Sequence, residues 1–296
     1  MYPTEALAAL GGSGRTRQLL AQGCTPYAIR LAVTDGTVVR VSRGAYMLPD
    51  APPERQQAIK LGAAITCVSA LASLGLPVPR TPHAAHLAVP RNFNLGARTR
   101  APVQLHYQNE RPLPGSVVSV AAALDCAGAC LDEEWHLAAV DAALHGGLIT
   151  LGDVMKFTRT SKERRDFLLC YADARAQAPG ETIVRLRLVK AGFLVTPQAY
   201  IEGAGHVDME VEHLLIVQVD GYGPHRDKGS FVRDRQGARA AIRAGRPQLS
   251  YAASEVLNHY SADVVGEVRD ALREWRTRDP ARIRPSGRQI LRITRD

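Results

Sequence analysis

The stretch GHVDMEVEHLLIVQVDGYGPH, residues 205–225, carries the strongest chemical signal in this chain. Asp208 and Glu210 are two residues apart, so on a strand both side chains point to one face. Gln218 and Asp220 repeat that spacing on the next strand-like run. Carboxylates on paired strands approach closely enough to share a divalent ion, and a purely oxygen donor set suits Mg²⁺. Such an ion lowers the pKa of a bound water and stabilises charge on a scissile phosphodiester. Glu181, at the start of the preceding helix, reaches the same site directly or through water. The plainer alternative is that these carboxylates sit at exposed strand ends and pair with nearby arginines.

A second constellation lies near the N-terminus. In TPYAIRLAVTDG, residues 25–36, Thr25 offers an N-cap oxygen and Pro26 fills the first helical position, where its missing N–H costs nothing. Ile29, Ala32 and Val33 fall on one helical face and can bury, while Tyr27, Arg30 and Thr34 fall on the other. A helix whose first turns present Thr25, Tyr27 and Arg30 fits a DNA major groove, with Arg30 suited to a guanine edge. Arg40 and Arg43 then sit on a following hairpin, near phosphate or the minor groove. The alternatives are a small packing module with solvated arginines, or a protein–protein adaptor.

Other candidates carry less. His136 and His145 read as ordinary surface or core histidines, and Gly11-Gly12-Ser13-Gly14 lacks the Lys-Ser/Thr of a phosphate loop and reads as a linker. Asp132-Glu133-Glu134 reads as an acidic helix start. Five cysteines (24, 67, 126, 130 and 170) stand at irregular spacing with no second close pair, so their spacing implies no zinc framework. A reducing, cytoplasmic setting fits them.

The elements that must position these groups follow from periodicity and punctuation. Residues 15–21 read as a helix stopped by Gly23, and the Thr25 helix ends at Gly36. Val38–Ser42 and Ala45–Leu48 form a hairpin about Arg43-Gly44. Pro49, Pro52 and Pro53 mark a boundary. A helix near 55–74, strands near 84–90 and 102–107, and helices near 118–130, 133–145 and 150–158 fill the middle. From Glu181 the order is helix 181–190, strands near 193–201, 205–211 and 214–220, a helix near 229–243, a strand at 247–251 and a helix from Ser254.

Composition bounds the rest. The 296 residues are 46% hydrophobic and 22% charged, an ordinary globular balance that excludes collagen, coiled coil and wholesale disorder. Net charge is +8, but the last 28 residues hold nine basic and four acidic groups, so most of the excess is terminal. Bulk charge therefore does not establish nucleic-acid binding. The arginines from Arg273 to Arg288 read as a solvated basic tail, or as a clamp on a nucleic-acid backbone. The uncharged run 61–79 is interrupted by Gly75, Pro77 and Pro79, so a buried helix is expected and no membrane association; no secretory leader is expected either.

Two family resemblances add to this reading. TRQLLAQGCTPYAIRLAVTDGTVVRVSRGAYML, residues 16–48, resembles the N-terminal winged-helix domain of AbiEi-type antitoxins from type IV toxin–antitoxin systems. ALASLGLP followed by HLAVPR extends that likeness loosely into the middle. Such antitoxins repress their own promoter, so the resemblance implies sequence-specific binding of double-stranded DNA and a cognate toxin as partner. The C-terminal third resembles the DUF559 group of PD-(D/E)xK, very-short-patch-repair (Vsr)-like nucleases. The matching residues are Glu181 through Arg185, Val207-Asp208-Met209, Leu214 through Tyr222, His225, and Phe231 through Arg235.

This second resemblance implies a Mg²⁺-dependent DNA endonuclease, with Asp208 as metal-binding aspartate and Glu181 as helix-borne acid. Asp220 and His225 would flank the scissile phosphate, and Asp234 and Arg235 would brace the site or contact DNA. Gln218 departs from the pattern, because most relatives carry glutamate there, and the motif lysine is replaced by Asp220. Glu210 or the Val219 carbonyl would have to complete the metal shell; otherwise the domain is degenerate and holds DNA without cutting it. The expected fold is α/β (α+β): a winged helix-turn-helix at 1–50, a middle antitoxin-like α/β domain at 51–175, a restriction-endonuclease-like αβββαβ core at 176–265, and an Arg-rich tail at 266–296.

Overall fold

The structure is a computed structural model that describes residues 1–80, 82–96, 101–109, 113–202, 205–221, 239, 245–257 and 262–278. The chain divides into two compact units, Met1–Ala172 and Asp173–Asp296, and helices and strands alternate in both, an α/β organisation.

The first unit opens with α1 (Pro3–Ala9), β1 (Ser13–Arg15), α2 (Thr16–Ala21), α3 (Pro26–Thr34), β2 (Val39–Ser42) and β3 (Ala45–Met47). The strands form an antiparallel sheet in the order β1-β3-β2. The expected helix, turn, helix and hairpin are therefore all present. The glycine-rich segment at 11–14 is not a linker: Ser13, Gly14 and Arg15 pair with Met47, Tyr46 and Ala45. Ala6, Leu7, Leu19, Cys24, Ile29, Ala32 and Val38 make a continuous core beneath α3. Leu19 is completely buried, and Leu19→Ala would cost about 2–5 kcal/mol of this support.

The rest of the unit comprises α4 (Pro53–Leu61), β4 (Ala64–Ile65), α5 (Cys67–Ser73), β5 (Ala85–Pro90), β6 (Val103–Gln108), α6 (Val120–Ala127), α7 (Glu133–His145), α8 (Leu151–Met155) and α9 (Lys162–Tyr171). The single helix expected over 55–74 is broken. Gly62 takes φ +71°, a left-handed helix cap, and β4 follows before α5 begins. In the second sheet, β4 pairs antiparallel with β5 and β5 pairs parallel with β6. His136 is a core histidine: its Nε2–H donates to the Leu124 carbonyl at 3.0 Å.

The second unit contains α10 (Pro179–Lys190), β7 (Val195–Ile201), β8 (Gly205–Val211), β9 (Leu215–Asp220), β10 (Gln248–Ala252), α11 (Ala253–Leu257) and α12 (Val264–Arg278). Sheet order is β10-β9-β8-β7, antiparallel except for the parallel β9–β10 pair. Of the helix expected near 229–243, only Arg239 is among the described residues. The start of the supposed tail is structured: α12 buries Val264, Val268 and Leu272 at helical spacing, and Arg276 pairs with Glu212 at 3.3 Å. Arg282, Arg284 and Arg288 lie outside the described residues. No helix is long and apolar enough to cross a membrane among the described residues.

Candidate functional site

The start of α3 is built as its sequence dictates. The Thr25 hydroxyl accepts the Ala28 N–H at 3.1 Å, closing the first turn behind Pro26. Ile29 and Ala32 are buried and Val33 half-buried, which fixes the rotation of the helix. The opposite stripe is exposed and consists of Tyr27 (68% exposed), Arg30, Leu31 (52% exposed) and Thr34. Leu31 is an addition to the expected set, legible as the i+4 neighbour of Tyr27. Arg40 on β2 and Arg43 in the hairpin turn are exposed as well. An aromatic ring, a guanidinium and a methyl-bearing side chain on one convex helix suit base edges and thymine methyls, with the hairpin arginines free to neutralise phosphate.

The acidic constellation is held differently. Glu181, buried in the first turn of α10, accepts the Gln177 N–H and the Gln198 side-chain amide, both at 3.1 Å. Gly180 lets this turn approach β9, since a Cβ there would lie 2.8 Å from Val219 Cγ1. Asp208 accepts the Val219 N–H at 2.7 Å, where the regular β8–β9 pairing has ended at Met209–Val217. The β7–β8 ladder passes from Pro197–Met209 to Ala199–Val207, and between them lies Gln198, a non-glycine residue at φ +52°. Glu210 is buried and ion-paired with Arg246, with His213 Nδ1 at 3.4 Å on its other oxygen. Gln218 accepts the Gln248 amide at 2.8 Å. Asp220 ends β9, in register with Ala252.

Asp208 and Glu210, expected to work together, thus have separate partners on the sheet. Val219 donates its N–H to Asp208. His225, Asp234 and Arg235 lie outside the described residues.

Comparison with known proteins bears on the first of these regions. Residues 15–49 match the AbiEi antitoxin family of transcriptional regulators. The matched span starts at the end of β1 and covers α2, α3 and the β2–β3 hairpin, including Thr25, Tyr27, Arg30, Arg40 and Arg43. This AbiEi-type segment does not extend into the second unit. No curated protein matches the chain. Among solved structures, the crystal structure of the RV2827C protein from Mycobacterium tuberculosis is similar at 15% identity and a TM-score of 0.31, over 62% of this chain and 79% of that one.

Downstream of the AbiEi-type segment lies a group that the sequence did not disclose. Cys67, at the start of α5, His86 on β5, His106 on β6 and Cys130, after α6, place one ligand atom each within 4.8 Å of all the others. His86 pairs with Gln104 in the parallel β5–β6 ladder, so His106, two residues on, projects from the same face. The rings stack with centroids 5.3 Å apart, and His86 Nδ1 lies 3.0 Å from His106 Nε2. Cys67 and Cys126 also adjoin one another, Cys67 Sγ lying 3.8 Å from the Cys126 carbonyl. The Cys130 and Cys126 thiols are both pushed down, first by the hydrogen bond from Cys67 and further by His106. The residues are remote in sequence; the one available signal was a pair of histidines on two strands of matching length.

Proposed function

We propose that this protein is a DNA-binding transcriptional regulator of antitoxin type, acting in the cytoplasm, with residues 1–50 forming a winged helix that reads duplex DNA. The observation that carries this reading is the exposed Tyr27–Arg30–Leu31–Thr34 stripe on a helix whose opposite face is anchored in the core, inside the segment that matches the AbiEi family. Arg30 would read a guanine, Thr25 and Tyr27 would fix the helix in the groove, and Arg40 and Arg43 would hold phosphates on the wing. A cognate toxin is the protein partner this type implies.

The second unit suits the degenerate form of a restriction-endonuclease-like domain: a scaffold that holds DNA or a partner and does not cut. On this reading the donor set is a poor one for Mg²⁺. Gln218 is a neutral amide already bonded to Gln248, Glu210 is committed to Arg246, and Asp208 is committed to the Val219 N–H.

Fluorescence anisotropy on DNA from the chain's own upstream region tests the first claim. Arg30→Ala should reduce discrimination between specific and random duplexes about tenfold or more. Arg40→Ala and Arg43→Ala should weaken every duplex alike and lower the salt slope by about one each. Equal losses on all sequences for Arg30→Ala would remove base readout from the proposal. The scaffold claim expects retardation without nicking of plasmid in Mg²⁺ or Mn²⁺, and divalent-dependent nicking that Asp208→Ala abolishes would overturn it.

A further inference from the structure

We propose that Cys67, His86, His106 and Cys130 bind one zinc ion in a closed Cys₂His₂ site that ties the β4-β5-β6 sheet to α5 and to the segment after α6. Two thiol sulfurs and two imidazole nitrogens form the donor set that zinc takes in tetrahedral structural sites. A tetrahedron with Zn–N of about 2.0–2.1 Å and Zn–S of about 2.3 Å has edges of about 3.3–3.8 Å. The four donor atoms here already lie within 4.8 Å of one another, with His86 Nδ1 and His106 Nε2 at 3.0 Å and Cys130 Sγ and His106 Nε2 at 4.0 Å. A contraction of at most about 1 Å at the widest pair seats the ion.

Three further features converge on the same point. First, the ligand-bearing segments are fastened together by the main chain. Thr66 N–H donates to the His86 carbonyl at 3.0 Å, and the His86 N–H donates to Ser69 Oγ at 3.0 Å. These bonds, one to a carbonyl and one to the Ser69 hydroxyl, fix Cys67 against His86 without help from the four ligand side chains. Second, Cys67 holds φ +53°, a left-handed conformation that a non-glycine residue adopts at a cost of about 1–3 kcal/mol and keeps where its surroundings require it. That conformation turns the buried sulfur toward the two histidines. Third, the neighbouring Cys126 has its own partner, because Arg159 donates to Cys126 Sγ at 3.5 Å. Two ligand thiolates neutralise the charge of the ion. Four protein donors leave no coordination position for water, so the site serves the fold and not hydrolysis.

The site bears on the whole middle region. Its four ligands come from four places in the chain, and three of them flank β4, β5 or β6 in a sheet of only three strands. A short sheet of this kind gains from a cross-link that closes several loops at once. The proposal stands independently of DNA binding and of the scaffold reading of the second unit.

The test is the zinc content of the full-length protein, expressed in zinc-supplemented medium, purified under reductant without chelator, and measured by inductively coupled plasma mass spectrometry. About one zinc per chain is expected. Cys67→Ser, Cys130→Ser and His106→Ala should fall to background, whereas Cys126→Ser and Cys170→Ser should retain the metal. Because a ligand variant can fail to fold, the wild type is also exchanged with Co²⁺. Intense tetrahedral d–d bands together with thiolate-to-cobalt charge transfer support the site. Reduced, folded wild type that takes up no stoichiometric zinc and gives only a weak octahedral cobalt spectrum overturns it. So does loss of metal in Cys126→Ser with retention in Cys130→Ser, or a disulfide among Cys67, Cys126 and Cys130 in metal-free folded protein.

Discussion

The Cys/His group of the first unit and the acidic group of the second invert what their spacing suggests. In the acidic group Asp208 and Glu210 stand close in sequence on one strand, yet each of them, like Glu181, is met by a protein donor of its own. Asp208 takes a main-chain N–H, Glu210 takes Arg246, Glu181 takes the Gln177 N–H and the Gln198 amide. In the Cys/His group the residues are scattered from 67 to 130, yet their donor atoms face one another. Convergence of donors, and not proximity of letters, is what a cation needs. A buried carboxylate can be satisfied by hydrogen bonds alone, whereas two lone-pair-bearing imidazole nitrogens aimed at each other cannot both be satisfied without a proton or a metal between them.

The largest expected effect comes from the Cys/His side of that contrast. A ligand bound by the folded state alone stabilises it by about 4 kcal/mol when its free concentration is a thousandfold above Kd. Wild-type protein stripped with a strong chelator should therefore melt several degrees lower than the zinc-loaded form, and zinc should restore the difference. An unchanged melting temperature would place the Cys/His group on the same footing as the acidic one, as side chains that merely pack.

His136 sharpens the contrast from within the same unit, because it is a histidine that no metal serves. Burial pushes its pKa down to about 4, with nearby Arg164 adding to the shift and the Leu124 carbonyl and Asp125 opposing it. A base whose folded pKa is depressed stays neutral in the folded chain while the unfolded chain takes up a proton. Stability is then fully present above about pH 6.5 and is lost as pH falls toward 4, by about 3 kcal/mol in all. Denaturant melts of the metal-free protein at several pH values should show this slope, and His136→Gln should flatten it. A slope that survives the substitution would assign acid sensitivity to other groups.

What could be read in advance follows the range of the interactions involved. The α3 helix was legible because Thr25, Pro26 and the Ile29–Ala32 spacing are local instructions, and the β2–β3 hairpin because Gly44 sits between two short alternating runs. By contrast, β1 is three residues long and owes its existence to pairing with β3, so by sequence Gly11-Gly12-Ser13-Gly14 reads as a linker. The break at Gly62 was hidden because an uncharged run continues through it. The Cys/His group depends on the parallel register of β5 and β6 and on the left-handed backbone of Cys67, neither of which periodicity encodes. In the acidic region spacing located the strands, but Arg246, the group that neutralises Glu210, stands 36 residues further along the chain, a pairing that local spacing does not encode.

On the acidic side, Glu210 and Arg246 carry the next effect. The Glu210 side chain is 11% exposed and that of Arg246 28%, so the pair is mostly withdrawn from water. Arg246→Ala strands a buried carboxylate, and a loss of about 2–3 kcal/mol is expected, below the 3–5 kcal/mol of a fully buried pair because some solvent reaches the arginine. Glu210→Gln removes the charge together with the need to neutralise it, so the double variant Glu210→Gln/Arg246→Ala should recover much of the loss. Urea melts of the four proteins give the coupling directly. If Arg246→Ala costs nothing, Glu210 is not committed to that arginine and becomes available to a cation.

The smallest effect separates the two roles open to Asp208. Its carboxylate does the work of a missing rung, accepting the Val219 N–H beyond the point where β8 and β9 cease to pair. Asp208→Ala leaves that N–H without its acceptor, at a cost of about 1–3 kcal/mol. Asp208→Asn keeps a carbonyl oxygen in reach, so a bracing role predicts near-wild-type stability for the amide. A carboxylate that existed to hold a cation would show the reverse pattern. Removing its negative charge would relieve repulsion among Asp208, Glu181 and Asp220, so both variants would be more stable than wild type in the absence of divalent ions. The order of three melting temperatures therefore decides whether this residue closes a sheet or waits for a metal.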